Sequence, residues 1–141
     1  MIISIKPYSA SVLSAAGLLL AGMGLYFIFI RPPLLPEDLK YMGSTLQNLK
    51  DNIPGLLNWL QKVFWVMGGY IFTTGLLTIF FAVTSFRSRL QGAFGTVAIT
   101  GISSIGLMTV VNFIIQSGFK WVLVIFTLPW AIALILYKSK K

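Results

Sequence analysis

The residues that could do chemistry cluster in one short segment. The chain has only three acidic residues, and two of them, Glu37 and Asp38, are adjacent. Arg31, Lys40 and Tyr41 lie close to this pair in the sequence. Such a group could bind a lipid head group or a cation, or form charged contacts with another subunit.

The same two carboxylates also suit the start of a helix. They follow Pro36, which favours a first helical position, and an acidic residue in the first turn contributes about 0.3–1 kcal/mol. Neighbouring helical residues point about 100° apart, which makes the two a poor acid–base pair.

The rest of the composition narrows the chemistry further. Histidine and cysteine are absent, which removes the commonest general base, thiolate chemistry and the commonest metal ligands. We therefore expect no metal site, no cofactor and no enzymatic activity. The alternative of a membrane enzyme that acts on a lipid through Glu37, Asp38 or Asp51 stays open.

The amounts of charged and apolar residues indicate a membrane protein. Of 141 residues, 57% are hydrophobic and 10% are charged, against about 25% charged in soluble domains. The net charge is +8, but the basic residues are scattered between apolar stretches. This pattern favours contact with an anionic lipid bilayer rather than with nucleic acid.

Four stretches are long and apolar enough to cross a bilayer, which takes about 20 helical residues. They cover residues 9–30, 63–86, 90–119 and 121–137. The length of the first, and the lack of a small-residue cleavage site, favour a retained span over a signal peptide. We predict an all-α polytopic membrane protein that forms a single four-transmembrane-helix bundle over residues 1–141.

The long connection between the first two spans carries an amphipathic pattern. Its apolar residues recur at spacings of three and four: Leu39, Met42, Leu46, Leu49 and Ile53. This spacing predicts one helix over about residues 36–53, lying at the membrane interface as an ordered cover on the outer face.

The basic residues predict the orientation in the membrane. Four spans place both termini on one side, which holds Lys6, Arg87, Arg89, Lys138, Lys140 and Lys141. The other side holds Arg31, Lys40, Lys50, Lys62 and Lys120. The counts are close, but the terminal side concentrates its charges in short flanks, where they direct orientation most strongly. We therefore predict both termini in the cytoplasm and a bacterial inner-membrane location.

Inside the spans, small residues outnumber reactive ones. Because close packing drives helix association in lipid, we predict helix-packing roles for Gly17, Ala21, Gly24, Gly68, Gly75, Gly95 and Gly101. The expected bundle is tight, with the third span contacting several neighbours. Asn112 is the most polar side chain within a span, and it is interpreted as an interhelical hydrogen-bond partner or as part of a ligand site. The span cores hold no ionisable residue, which argues against proton-coupled transport.

The outline and two local motifs resemble the small bacterial membrane proteins grouped as DoxX-like and their uncharacterised relatives. The motifs are Pro36-Glu37-Asp38-Leu39 with Tyr41-Met42-Gly43, and Met67-Gly68-Gly69-Tyr70. The resemblance implies a four-span protein, and some members of that group are implied to accompany quinone-linked oxidoreductases. It supplies no active-site residue.

Three functional hypotheses follow. The leading one is a non-enzymatic accessory or assembly subunit, or a self-associating bundle, with the bilayer and another membrane subunit or a second copy as partners. The second is binding or passage of a lipid-like or quinone-like apolar ligand between the second, third and fourth spans. The third is the lipid-directed enzyme mentioned above.

Overall fold

The computed structural model describes residues 6–139, so Lys140 and Lys141 of the charge count lie outside the described residues. Over residues 6–139 the protein is all-α and has no strand. Its helices are α1 (Lys6–Phe29), α2 (Pro36–Met42), α3 (Leu46–Asn52), α4 (Leu56–Phe86), α5 (Ala93–Ile114) and α6 (Lys120–Lys138).

Four of these helices, α1, α4, α5 and α6, are long and apolar enough to cross a membrane. Large apolar side chains on their outer faces stay exposed: Leu77 is 62% exposed, Ile99 71% and Ile135 66%. In water such a surface would be unfavourable, whereas lipid chains accommodate it. The predicted all-α four-helix bundle is confirmed, and the protein is an integral membrane protein.

The ends of the spans differ from those predicted. The helix of the second span begins at Leu56, seven residues before the predicted start. The third helix covers Ala93–Ile114 rather than residues 90–119, because Gly92 and Gln116 adopt left-handed backbone angles, with φ of 84° and 55°. The sequence pattern missed these ends because apolar residues continue beyond them.

The predicted single helix over residues 36–53 is wrong. Gly43 adopts a left-handed conformation with φ of 64° and ends α2. Thr45 then begins α3, where its hydroxyl accepts a hydrogen bond from the Asn48 amide at 3.2 Å. The apolar stripe continues across the break, which is why its periodicity alone suggested one helix.

Helix α1 is the central helix of the bundle, with α4 packed along one side and α6 along the other. The contact with α4 brings the two backbones together at small residues. A Cβ atom added to Gly17 would lie 2.8 Å from the Gly75 carbonyl oxygen, and one added to Gly68 would lie 2.7 Å from the Gly24 carbonyl oxygen. Ala21 meets Gly75 in the same interface. Larger side chains at these positions would push the helices apart.

Helices α4 and α5 approach each other only toward the terminal side of the bundle. There the last turn of α4, the π-helical segment Ala82–Phe86, contacts the first half of α5. Phe86 is 1% exposed, and its ring centroid lies 4.4 Å from that of Tyr137. The rest of α4 diverges from α5, and α5 packs mainly against α6. This corrects the prediction of a tight bundle, although the third span does contact both the end of α4 and α6.

Candidate functional site

The divergence of α4 from α5 leaves a cavity of about 820 Å³ in the half of the bundle away from the chain termini, which is called the outer half below. Its walls come from α1, α4, α5 and α6, and the segment around α2 closes its outer end. The contact between Ala82–Phe86 and α5 lies beyond the opposite end, where Leu18, Thr74 and Ser103 line the cavity. The volume falls within the roughly 300–1,000 Å³ of small-molecule sites. Because α4 and α5 separate above that contact, the cavity faces the lipid between them.

Arg31 forms the polar outer end together with Asp38. Its Nη2 atom donates to Asp38 Oδ2 at 3.3 Å, and its Nη1 atom donates to the Pro32 carbonyl oxygen at 3.0 Å. The guanidinium carbon lies 3.5 Å from the centroid of the Phe64 ring, a cation–π contact that holds the side chain against α4. Asp38 also accepts a hydrogen bond from the Leu35 amide at 2.9 Å, so it caps α2 as well as pairing with Arg31.

Glu37 joins α2 to the connection between α5 and α6. Its Oε1 atom accepts a hydrogen bond from Ser117 Oγ at 2.9 Å, and Ser117 is 2% exposed. Ser117 Oγ in turn accepts from the Phe119 amide at 3.1 Å. Burial raises the pKa of Glu37, but hydrogen bonds from its own amide, from Ser117 and from the Gly118 amide outweigh burial and hold the pKa below its ordinary value. The carboxylate is therefore ionised at neutral pH.

The hydroxyl groups deeper in the cavity are already satisfied within their own helices. Thr74 donates to the Tyr70 carbonyl at 2.8 Å, and Ser104 donates to the Thr100 carbonyl at 2.6 Å. Ser103 bonds back to its own helix in the same way. Such bonds leave these three hydroxyl groups no free donor for a ligand, so this part of the wall offers mainly apolar surface. The charged groups that line the cavity are confined to its outer end.

Asn112 is the polar group that lies between the outer end and the apolar wall. Its amide nitrogen donates to the Met108 carbonyl at 2.9 Å, one turn earlier in α5. The side-chain oxygen has acceptor capacity left, and the residue lines the cavity. The interhelical hydrogen bond considered for Asn112 is not among its described bonds, whereas the ligand-site interpretation matches its position.

The structure brings together four of the six predicted binding residues. Arg31, Glu37, Asp38 and Asn112 all line the cavity. Lys40 and Tyr41 are exposed on α2 and do not line it.

The predicted packing residues also fall into different environments. The members on α1 and α4 form the interface described above. Gly101 lies beneath the indole ring of Trp130, which is 3% exposed and donates to the Val97 carbonyl at 2.8 Å. Gly95 has nothing within 4 Å of the position of an added Cβ atom, so it makes no close helix contact in residues 6–139.

Ser117 and Phe64 were missed by the sequence analysis. Ser117 was placed inside the predicted third span, where a lone serine suggests only a hydrogen bond to its own helix. It lies 80 residues from Glu37, and no local pattern connects the two. Phe64 is one aromatic among eleven phenylalanines, and nothing in its spacing marks it as the partner of Arg31.

The three acidic side chains among the described residues each have a separate hydrogen-bond partner. Among residues 6–139 there is no group of three or more acidic, histidine or cysteine side chains that could hold a metal ion. Glu37 and Asp38 bond to separate partners, and Asp51 bonds to Gln47 on the exposed face of α3. What the arrangement offers is a long apolar surface with one polar end.

Comparison of the chain with protein-family models, with curated protein sequences and with solved structures finds no match. The assignment as a membrane protein therefore rests on the fold of the chain itself. The resemblance to DoxX-like proteins stays a prediction.

Proposed function

We propose that this integral membrane protein binds a lipid-like amphiphile, with one hydrocarbon chain in the cavity and its head group at the outer end. The observation that carries the proposal is the one-sided polarity of the cavity. Arg31, Glu37, Asp38 and Asn112 lie toward one end, and the rest of the wall is mostly apolar, with the Thr74 and Ser104 hydroxyl groups bonded within their own helices. A quinone with polar groups on both sides of its ring fits this surface less well than a chain with one polar head.

The length of the cavity supports a ligand taken from one leaflet. Along α1 and the turn that follows it, the lining of the cavity runs from Leu18 to Arg31. At 1.5 Å per residue this distance is about 20 Å, which matches half of a bilayer core of about 30 Å plus part of the head-group region. The divergence of α4 from α5 provides a lateral entry that a lipid chain can use without leaving the membrane.

The experiment fills the cavity without disturbing the helix contacts. Gly22 lines the cavity, and nothing lies within 4 Å of an added Cβ atom. Gly69 on α4 is equally unobstructed but does not line the cavity. We expect the wild-type protein and Gly69→Phe, released from mild detergent into a native mass spectrometer, to carry one bound amphiphile, and Gly22→Phe to lose it. Equal occupancy in both variants would refute the proposal.

We also propose a bacterial inner-membrane location with both termini in the cytoplasm, so that the cavity takes its ligand from the outer leaflet. The support is the distribution of lysine and arginine between the two sides. The chain contains no cysteine, so single cysteines report cleanly on orientation. In intact cells, an impermeant maleimide should label Lys50→Cys and leave Ser139→Cys unlabelled, and the reverse pattern would contradict this orientation.

The accessory-subunit hypothesis stays a prediction beside this proposal. A protein that holds a lipid can also serve a larger assembly, and the two roles do not exclude each other. A stoichiometric partner that co-purifies in mild detergent would support it, whereas a monomer that carries only lipid would favour the ligand-binding role alone.

A further inference from the structure

The charges at the outer end of the cavity limit which head groups it accepts. Among residues 6–139, the charged side chains that line the cavity are two carboxylates and one guanidinium, which leaves a net charge of −1. Asp38 already pairs with Arg31 at 3.3 Å. An anionic head group would have to displace Asp38 from Arg31 and would meet the unbalanced carboxylate of Glu37.

Aromatic rings surround the same end of the cavity. Tyr26, Phe27, Phe64 and Phe119 all line it, and the rings of Tyr26 and Phe119 have centroids 6.2 Å apart. Arg31 occupies the face of Phe64, so this site already holds one cation by cation–π contact. Aromatic faces beside an unbalanced carboxylate are the usual surroundings of bound ammonium groups.

We infer that the head group of the bound amphiphile is positively charged, as an amine or quaternary ammonium carried on a single hydrocarbon chain. The inference rests on the proposed function, since it names the chemical class of the ligand in the same cavity. Glu37 supplies the unbalanced negative charge, and Tyr26 and Phe119 supply the aromatic faces. The chain as a whole has a net charge of +8, which attracts anions, so a preference for cations must come from this local site.

The test uses three photoreactive probes with the same diazirine-bearing chain and different head groups: trimethylammonium, hydroxyl and sulfonate. Each is added at the same low mole fraction to nanodiscs that hold the full-length protein, and crosslinks to the cavity residues Met23 and Met108 are counted by mass spectrometry. We expect the trimethylammonium probe to label these residues at least about tenfold more than the sulfonate probe, because opposite charges interact strongly at a partly dehydrated site.

Two variants that each lose one negative charge test whether Glu37 causes the preference for the trimethylammonium probe. Glu37→Gln removes one negative charge from the cavity and retains an oxygen for Ser117 Oγ. Asp51→Asn removes the same charge from α3, outside the cavity. We expect the first change to reduce the preference to about threefold or less and the second to leave it unchanged.

The outcomes separate this inference from the proposed function. If none of the three probes labels the cavity residues, the proposed function fails and the inference fails with it. If all three label them equally, or if sulfonate is preferred, the cavity binds chains but the head-group inference is overturned. The inference is also overturned if the preference for trimethylammonium survives in Glu37→Gln.

Discussion

Two adjacent glycines on α4 give the sharpest test of how the bundle is held together. A Cβ atom at Gly68 would lie 2.7 Å from the Gly24 carbonyl oxygen and 2.7 Å from Ile28 Cγ1. Gly69 has nothing within 4 Å of the same position. The substitutions Gly68→Ala and Gly69→Ala therefore add the same methyl group, one to the α1 interface and one to an open face.

The size of the expected loss of stability in Gly68→Ala follows from these distances. Ordinary van der Waals contact begins at 3.4 Å, so the Gly24 carbonyl must retreat by about 0.7 Å, the difference between 3.4 and 2.7 Å. A backbone oxygen cannot rotate away as a side chain does, and overpacking of this kind costs about 1–3 kcal/mol. Gly69→Ala should be neutral or stabilising by up to about 1 kcal/mol, since alanine favours a helix more than glycine.

The assay is unfolding by sodium dodecyl sulfate in mixed micelles, followed by circular dichroism. We expect Gly68→Ala to lower the free energy of unfolding by about 1–3 kcal/mol relative to wild type. Gly69→Ala should unfold at or above the wild-type midpoint. Equal midpoints for the two variants, or a larger loss for Gly69→Ala, would show that α1 and α4 are not in backbone contact at these residues.

Two further predictions concern hydrogen-bonded polar side chains. Trp130→Phe should destabilise the protein by about 1–3 kcal/mol in the same assay, because the Val97 carbonyl loses its indole donor. The control Trp65→Phe changes a residue that is 44% exposed and should alter the stability little. Similar losses of stability in the two variants would argue against the hydrogen bond of Trp130 to Val97. The depressed pKa of Glu37 contributes stability that is complete above pH 4.5 and is lost as the pH falls through the lower folded-state value. The temperature of thermal unfolding, measured from neutral pH to about pH 3, should therefore fall less steeply for Glu37→Gln than for wild type. Parallel curves for the two proteins would contradict a contribution of the Glu37 carboxylate to stability.

The bundle itself could be predicted because lipid imposes a simple rule on composition. A helix that crosses the membrane needs about 20 apolar residues, and all four spans are visible in the sequence on that basis. Packing roles for Gly17, Gly24, Gly68 and Gly75 could also be predicted, because small residues let helices approach closely, but the pairing of α1 with α4 could not. Helix ends were less visible, since apolar residues continue past Ile114 into a turn.

The cavity could be predicted only in part. The cluster of Arg31, Glu37 and Asp38 was apparent from its charges, but the hydrogen bond of Glu37 to Ser117 joins residues 80 positions apart. The divergence of α4 from α5 leaves no local mark in the sequence, because lipid-facing and cavity-facing residues are both apolar. The sequence likewise does not distinguish Gly95 from Gly101, although only Gly101 lies against another helix.

The most direct test of a lipid-binding cavity is an electron cryomicroscopy structure of the protein in lipid nanodiscs. The account predicts one elongated density between α1, α4 and α5, with a head group beside Arg31 and Glu37 and a chain that extends toward Ser104. A structure in which α4 closes against α5 along its whole length, or in which side chains fill this space, would contradict it.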